Sequence, residues 1–382
     1  MTFDFDTVLE RHGTGSTKWS RYPADVLPMW VADMDFPAPP VVIDALQKRL
    51  EHPMLGYSVA QDGLRAAIVA DLWSKYAWRV EPQQIVFLPG VEPGFNMALR
   101  ALVEPQQNVV VQVPNYPPLR NAPGHWNLNK VELPFNPANG QFHTPLAALR
   151  EALQGGGALL LSNPHNPLGK VFDREELKAV ADICLEQDAW IISDEIHAEL
   201  CFDGRVHIPT ASLGAEIAAR TITLMSASKA YNIAGLKTSF AIIQDAKVRE
   251  RVNNARAGMV DSVNALGLEA TRAAYSEASP WLEGLKAYLQ TNRDFLVEAV
   301  NTRLPGITMT VPQGTYLAWL DCSALGLDDP QGFFLKEAKV GLSAGLDFGD
   351  DSGQFVRLNF GCPRALLEEG IARMERSLKA RR

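Results

Sequence analysis

Cysteine is scarce in this chain: Cys184, Cys201, Cys322 and Cys362 are the only four in 382 residues, and no two form a C-x-x-C pair. Such scatter suggests neither a disulfide framework nor a zinc site, so no metal is expected, and it suits a reducing cytoplasm. Basic runs are also missing. With 36 Lys and Arg against 44 Asp and Glu, the formal net charge is −8, which makes nucleic acid and anionic membrane poor partners. No apolar run reaches the length needed to span a bilayer. The opening Met1-Thr2-Phe3-Asp4-Phe5-Asp6 carries acid where a secretory leader carries base. Internal repeats and low-complexity tracts are absent as well. Gly155-Gly156-Gly157 lacks G-x-G-x-x-G spacing and precedes a strand, which argues against dinucleotide binding.

What is present is ordinary globular composition, 47% hydrophobic and 21% charged, over a length that calls for more than one core. Residues 1–40 are aperiodic and rich in Pro, Asp and aromatics, notably Pro28-Met29-Trp30-Val31-Ala32-Asp33-Met34-Asp35-Phe36-Pro37. Such a segment must be pinned by tertiary contacts or by a partner subunit. Helical spacing begins near residue 39. Short apolar strands then alternate with helices at residues 85–88, 109–113, 158–161, 190–192, 221–225 and 239–243. Continuous apolar strands of this kind predict an α/β domain with a mostly parallel sheet covered on both faces. A long helix is expected from Pro280, capped by Ser279, with Leu282, Leu285, Leu289, Phe295 or Leu296, and Ala299 on one side. The last hundred residues read as a smaller α+β domain, with strands around 316–320 and 355–359 and a terminal helix from about Arg364. The expected division is a large domain over 46–275, with 1–45 and 276–382 forming the small one.

Ligands of open parallel sheets sit beyond the carboxyl ends of the strands, and chemistry-bearing residues gather there. Residues 85–88 run into Pro89-Gly90-Val91-Glu92, and 109–113 into Pro114-Asn115-Tyr116. Residues 158–161 lead to Asn163-Pro164-His165-Asn166-Pro167-Leu168-Gly169-Lys170, 190–192 to Ser193-Asp194-Glu195-Ile196-His197, and 221–225 to Ser226-Ala227-Ser228-Lys229.

Taken singly, each has a bland explanation: Asp194 as a helix cap, Asn166 as a turn residue, His197 as a core or rim histidine, Tyr116 as packing. Together they answer the needs of one molecule. The Lys229 amine can form an imine with an aldehyde, and the Ser226 and Ser228 hydroxyls can donate to a phosphate. Asp194 can hold a pyridine nitrogen protonated, Asn166 and His197 can approach the ring oxygen, and Tyr116 can stack on the ring. Amides after Gly90, at Val91 and Glu92, open a helix whose dipole favours a phosphate. Pyridoxal 5'-phosphate carries all of these groups.

The order Asn-Pro-x-Asn-Pro-x-Gly, Ser-Asp-Glu-Ile-His, Ser-x-Ser-Lys resembles fold-type I pyridoxal-phosphate enzymes of the class I/II aminotransferase superfamily. Residues 33–36, Gly56-Tyr57, 193–197, 229–236, 315–321 and 356–363 resemble one branch, the MalY/PatB group of cystathionine β-lyases, or C–S lyases. That resemblance implies a homodimer with shared active sites, in which Tyr57 reaches the neighbouring subunit's cofactor phosphate. It also implies that Arg357 grips the substrate α-carboxylate, and that Trp30 and the segment from Asp33 to Phe36 border the substrate entrance.

Two positions depart from the wider superfamily. Lys237 stands where many members carry a phosphate-binding arginine, and an ammonium lacks the planar fork. His197 stands where an aminotransferase tyrosine is expected, in keeping with the lyase branch. Three functions follow from the resemblance: a β-lyase of L-cystathionine or related cysteine S-conjugates, an aminotransferase, and a regulatory partner-binding protein on the same fold. The first is favoured by the branch features.

Overall fold

The computed structural model describes residues 3–138, 140–260 and 262–381. Met1 and Thr2 of the acidic opening segment, and residue 382 at the expected end of the small domain, lie outside the described residues. Seven strands make the main sheet: β1 (Ile85–Leu88), β2 (Asn108–Val113), β3 (Asn129–Pro134), β4 (Gly157–Ser162), β5 (Ala189–Asp194), β6 (Thr221–Met225) and β7 (Ser239–Ile242). Their order across the sheet is β1-β7-β6-β5-β4-β2-β3. β7 runs antiparallel to both its neighbours, and every other pairing is parallel. The expected α/β architecture with a mostly parallel sheet is therefore what the chain adopts.

Side-chain alternation explains the uninterrupted apolar strands. Val109, Val111 and Leu160 pack into one core with Phe95 and Leu99, whereas Val110, Leu159 and Leu161 pack into another with Leu177, Val180 and Ile183. Both faces are covered, so both sets of alternate positions are predominantly apolar. The covering helix Arg174–Glu186 starts cleanly because Asp173 accepts a hydrogen bond from the Glu176 amide, with two acids in the first turn.

Two details differ from the sequence reading. Strand β3 escaped it, because Asn129-Lys130-Val131-Glu132 is largely polar and lies at the sheet edge. The long helix spans Ser279–Arg303, so Ser279 is its first residue and Ala278 the cap. The preceding helix ends at Glu277, and Ala278 serves both ends, leaving Ser279 no room to cap. Leu282, Leu285, Leu289, Leu296 and Ala299 are buried as spaced.

The C-terminal part forms a four-stranded sheet with Leu317–Asp321 and Phe355–Asn359 at its centre, followed by the helix Arg364–Arg381. Leu27–Pro28 of the N-terminal segment pairs in parallel with Val340–Gly341. The aperiodic stretch is thus tied to the C-terminal part of the chain.

One close approach bears on the site. Helix Ala265–Glu277 passes so near the turn before β7 that a Cβ at Gly267 would lie 2.5 Å from the Leu236 carbonyl oxygen and also strike the Thr238 side chain. Backbone cannot yield there as a side-chain tip could. Gly267→Ala is expected to cost about 1–3 kcal/mol in urea denaturation. The same shift of Lys237 and Thr238 should weaken cofactor retention; parental stability in the variant would show that the turn moves freely.

Candidate active site

The carboxyl ends of β1, β2, β4, β5 and β6 open into one cleft of about 580 Å³, a size suited to a cofactor with a small substrate. Its walls include Gly90, Val91, Glu92, Tyr116, Asn166, Asp194, His197, Ser226, Ser228, Lys229 and Lys237. These residues sort by strand order. Gly90 follows β1, Lys237 precedes β7, and Ser226 to Lys229 follow β6, so the anion-binding groups share one side of the sheet. Asp194 ends the central β5, while Asn166 and Tyr116 come from the far side, after β4 and β2.

Gly90 is the N-cap of helix Val91–Leu102. The amides of Val91 and Glu92 precede the first intrahelical bond, Gly94 to Gly90 at 3.3 Å, and Pro93 has no N–H to offer. Ser226 caps the short turn bearing Lys229. Its Oγ accepts from the Ser228 amide at 3.1 Å and lies 2.6 Å from the Thr238 carbonyl oxygen. The Ser226 hydroxyl is therefore committed to the fold, and Ser228 is the freer of the two. Lys237 holds a left-handed backbone at φ 49°, uncommon for a side chain with a Cβ and typical of positions set by their surroundings.

The charged groups of the cleft are poorly paired. Lys229 Nζ donates to the Ala32 carbonyl at 2.7 Å, and burial pushes its pKa down to about 8, with the Asp33 charge opposing the drop. Asp194 Oδ1 accepts only the Ile196 amide at 3.1 Å among the described residues. Burial pushes this carboxyl up to about 7, against the hydrogen bond and the nearby Lys229 charge. The asparagine-rich loop contributes Asn166, whose Oδ1 accepts from Arg357 at 2.9 Å. Arg357 also donates to the Trp30 carbonyl at 2.8 Å and lies 4.8 Å from the centre of the Phe348 ring. Its Nε is buried without a partner, and burial lowers its pKa to about 10. His197 is buried edge-on to Tyr316 at 5.8 Å. Burial, with Lys229 and Arg357 nearby, keeps it neutral, and its Nδ1 has no partner. Burial also raises Tyr116 to about 12, so its ring stays uncharged.

These features fit pyridoxal 5'-phosphate. A buried carboxylate without a cation, an amine of lowered basicity and a helix N-terminus with two free amides meet the ring nitrogen, the aldehyde and the phosphate respectively. The orphaned Arg357 Nε is left for an anionic substrate group.

Four expected residues are not in the cleft wall: Arg357 stands behind Asn166, and three others sit elsewhere. Tyr57 is 96% exposed and outside the cleft of its own chain. Trp30 meets the site through its carbonyl; its indole N–H donates to the Lys18 carbonyl at 3.2 Å. Asp33 is engaged with Arg11 at 2.7 Å. Conversely, the sequence reading missed Ala32, Ser343 and Phe348. Ala32 acts through its backbone, which composition cannot reveal; Ser343 meets Arg357 as its partner on the adjacent strand, and Phe348 lies under the guanidinium.

Comparison with known proteins agrees with this geometry. The family described as aminotransferase class I and II matches residues 24–374. Cystathionine β-lyase PatB of Bacillus subtilis is 37% identical over 385 residues, covering 98% of this chain and all 100% of its own. The crystal structure of OvoB superposes with a TM-score of 0.95 at 42% identity, over 99% of this chain and 100% of that one. Cystalysin from Treponema denticola, which contains a pyridoxal 5'-phosphate cofactor, reaches 0.96 at 29% identity over 100% of both chains. The chain belongs to the aminotransferase class I and II family of fold-type I pyridoxal-phosphate enzymes, within its branch of MalY/PatB-type cystathionine β-lyases.

Proposed function

We propose that this protein is a pyridoxal-phosphate-dependent C–S β-lyase that converts L-cystathionine or a related cysteine S-conjugate to a thiol, pyruvate and ammonia. The observation that carries the reading is the Lys229 amine. It is set in the same cleft as the unpaired Asp194 carboxylate, with its pKa lowered to about 8, so that it can act as a base near neutral pH.

Bound pyridoxal phosphate supplies an electron sink for the charge left at Cα. Asp194 would hold the proton of the ring nitrogen. Asn166, held in orientation by Arg357, and His197, kept uncharged, would serve the ring oxygen. Tyr116 would stack on the ring. The Val91 and Glu92 amides, Ser228 and Lys237 would take the phosphate, with Ser226 holding the turn that presents Ser228. Arg357 uses its free Nε to grip the substrate carboxylate, which sets the Cα–H bond toward Lys229. Lys229 Nζ then removes the Cα proton, and the thiolate leaves from Cβ. Water completes the release of pyruvate and ammonia.

The active unit is a homodimer in this reading. Met54, Leu55, Tyr57 and Val59 form a run of large apolar side chains exposed in the single chain, at 60–96%, which a second copy would cover. Tyr57 then reaches the partner's phosphate. No helix among the described residues is long and apolar enough to cross a membrane. The four buried free thiols suit a cytoplasmic location.

With L-cystathionine and no keto acid, the holoenzyme is expected to release pyruvate and ammonia in equal amounts. Conversion that begins only once a keto acid is added would make it a transaminase instead. Asp194→Asn carries a second prediction. Ionising the carboxyl costs the folded apoprotein stability from the unfolded value of 3.8 upward, and the penalty is complete above about 7. The variant apoprotein should therefore gain more melting temperature at pH 8 than at pH 5. It should also bind pyridoxal phosphate about 10- to 100-fold more weakly, through loss of a charge-assisted bond. An equal gain at both pH values would refute the buried charge as the cause. The shared site is checked by mixing Tyr57→Ala with Lys229→Ala subunits. Heterodimers carry one intact site, and activity should recover to about one quarter of the parent. No recovery after verified subunit exchange would count against a Tyr57 shared across the interface.

A further inference from the structure

The N-terminal segment does more than border the cleft. Its backbone carbonyls hold both functional cations: Ala32 accepts from Lys229 at 2.7 Å and Trp30 from Arg357 at 2.8 Å. Side chains from distant parts of the fold hold the neighbouring carbonyls. Asn359 Nδ2 donates to Val31 at 2.6 Å and to Asp33 at 2.8 Å, and Tyr316 Oη donates to Ala32 at 3.0 Å. Asn232 Nδ2 reaches Met34 at 3.1 Å and Phe36 at 2.6 Å.

Behind this strap lies an ion cluster that the reaction does not use. Asp35, 6% exposed, accepts from three side chains. Lys18 Nζ meets Oδ2 at 2.6 Å, while Arg11 at 2.5 Å and the Trp19 indole at 2.8 Å meet Oδ1. Lys18 is itself 1% exposed and also donates to the Asp33 carbonyl at 2.9 Å. Arg11 spans Asp33 and Asp35 and reaches the Met34 carbonyl as well. Two cations and two carboxylates, two of the four almost fully enclosed, are assembled on residues 33–35, which belong to neither helix nor strand. Charged groups held away from water are costly unless paired and hydrogen-bonded, and here the pairing converges on one short segment.

We propose that Asp35 is a positioning residue: by gathering Lys18, Arg11 and Trp19 it fixes the 30–34 strap so that the Ala32 and Trp30 carbonyls aim Lys229 and Arg357. Asp35 touches neither substrate nor cofactor. It acts through backbone oxygens that orient the base at one end of the Cα–H bond and the carboxylate grip at the other. A small displacement of either group is expected to be expensive in rate.

Asp35→Asn alone leaves the Lys18 ammonium buried without a counter-ion and can fail to fold. The Lys18→Met/Asp35→Asn double variant removes both charges with little change of shape and is the better probe. Three quantities are measured: melting temperature with cofactor content, amide exchange of the apoprotein over residues 30–36, and kcat of the holoenzyme. In the parent, the Met34 and Asp35 amides are protected by Asn232 Oδ1 and the Gly361 carbonyl, so loosening is directly readable. The expected result is a cofactor-loaded variant melting close to the parent, with exchange over 30–36 at least about tenfold faster and kcat about 10- to 100-fold lower. Parental exchange over 30–36, or faster exchange with parental kcat, overturns the proposal. If the double variant does not fold, Trp19→Phe removes one of the three donors, and the same two readouts decide in the same way. Only the kinetic arm rests on the lyase reading. A parent that releases no pyruvate overturns that reading, whereas the exchange arm stands or falls on the strap alone.

Discussion

Covering both faces of the seven-stranded sheet leaves polar chemistry one place to collect, the carboxyl ends of the parallel strands. Val109, Val110 and Val111 show the constraint at its plainest, since successive side chains enter two different cores and all three are fully buried. A polar residue within those strands must find a partner there, as Gln112 does in Thr144 at 2.8 Å. The loops after β1, β2, β4, β5 and β6 therefore carry the site, and the order of strands fixes the order of groups along the cleft. Amides, hydroxyls and Lys237 fall to one side, the carboxylate to the centre, and the asparagine and tyrosine to the other. A rod-shaped molecule with a phosphate at one end and a basic ring nitrogen further along is what such a sequence of groups accommodates.

The same enclosure sets the electrostatics. Asp194 is pushed up, while Lys229, Arg357 and His197 are pushed down, each chiefly by burial. Four ionisable groups sharing one enclosed space, all displaced toward neutrality, make an unfavourable arrangement for a protein with nothing to bind. It becomes favourable once a cation meets Asp194 and an anion meets Arg357. The stability the fold forgoes in keeping these groups dry is returned as affinity for a cofactor and substrate of complementary charge.

Legibility in the sequence followed locality. Lys229, Asp194 and Asn166 were found because each stands a few residues beyond an apolar run, and strand ends are where ligands of such sheets sit. The sheet was found for the same reason, since most of its strands are mainly apolar; β3 was missed because it is polar and peripheral. Ser279 looked like a cap because sequence shows a residue type but not that the preceding helix runs to Glu277 and leaves Ala278 as the cap of both. Groups acting through backbone left no trace at all. Nothing about alanine at position 32 announces that its carbonyl holds the catalytic amine, and Trp30 drew notice for an indole that points away from the cleft. Tyr57 is a further kind of difficulty, because its meaning depends on a second chain.

The strap also shows how two separately built halves can act on one substrate. Lys229 belongs to the sheet, after β6, whereas Arg357 lies on Phe355–Asn359 of the C-terminal part. The main sheet meets Arg357 directly through Asn166, after β4. The segment from Trp30 to Met34 touches both, and it is anchored to both: Asn232 grips it from the sheet side, Asn359 and Tyr316 from the other. Leu27–Pro28 then stitches its upstream end to Val340–Gly341. Any motion of one half against the other must therefore strain the carbonyls that hold the base and the guanidinium. A segment without regular structure suits this position. Its carbonyls are not consumed by helix or sheet, so they remain free to accept hydrogen bonds from side chains on both sides. Lys229 and Arg357 are consequently bridged by the least regular part of the chain.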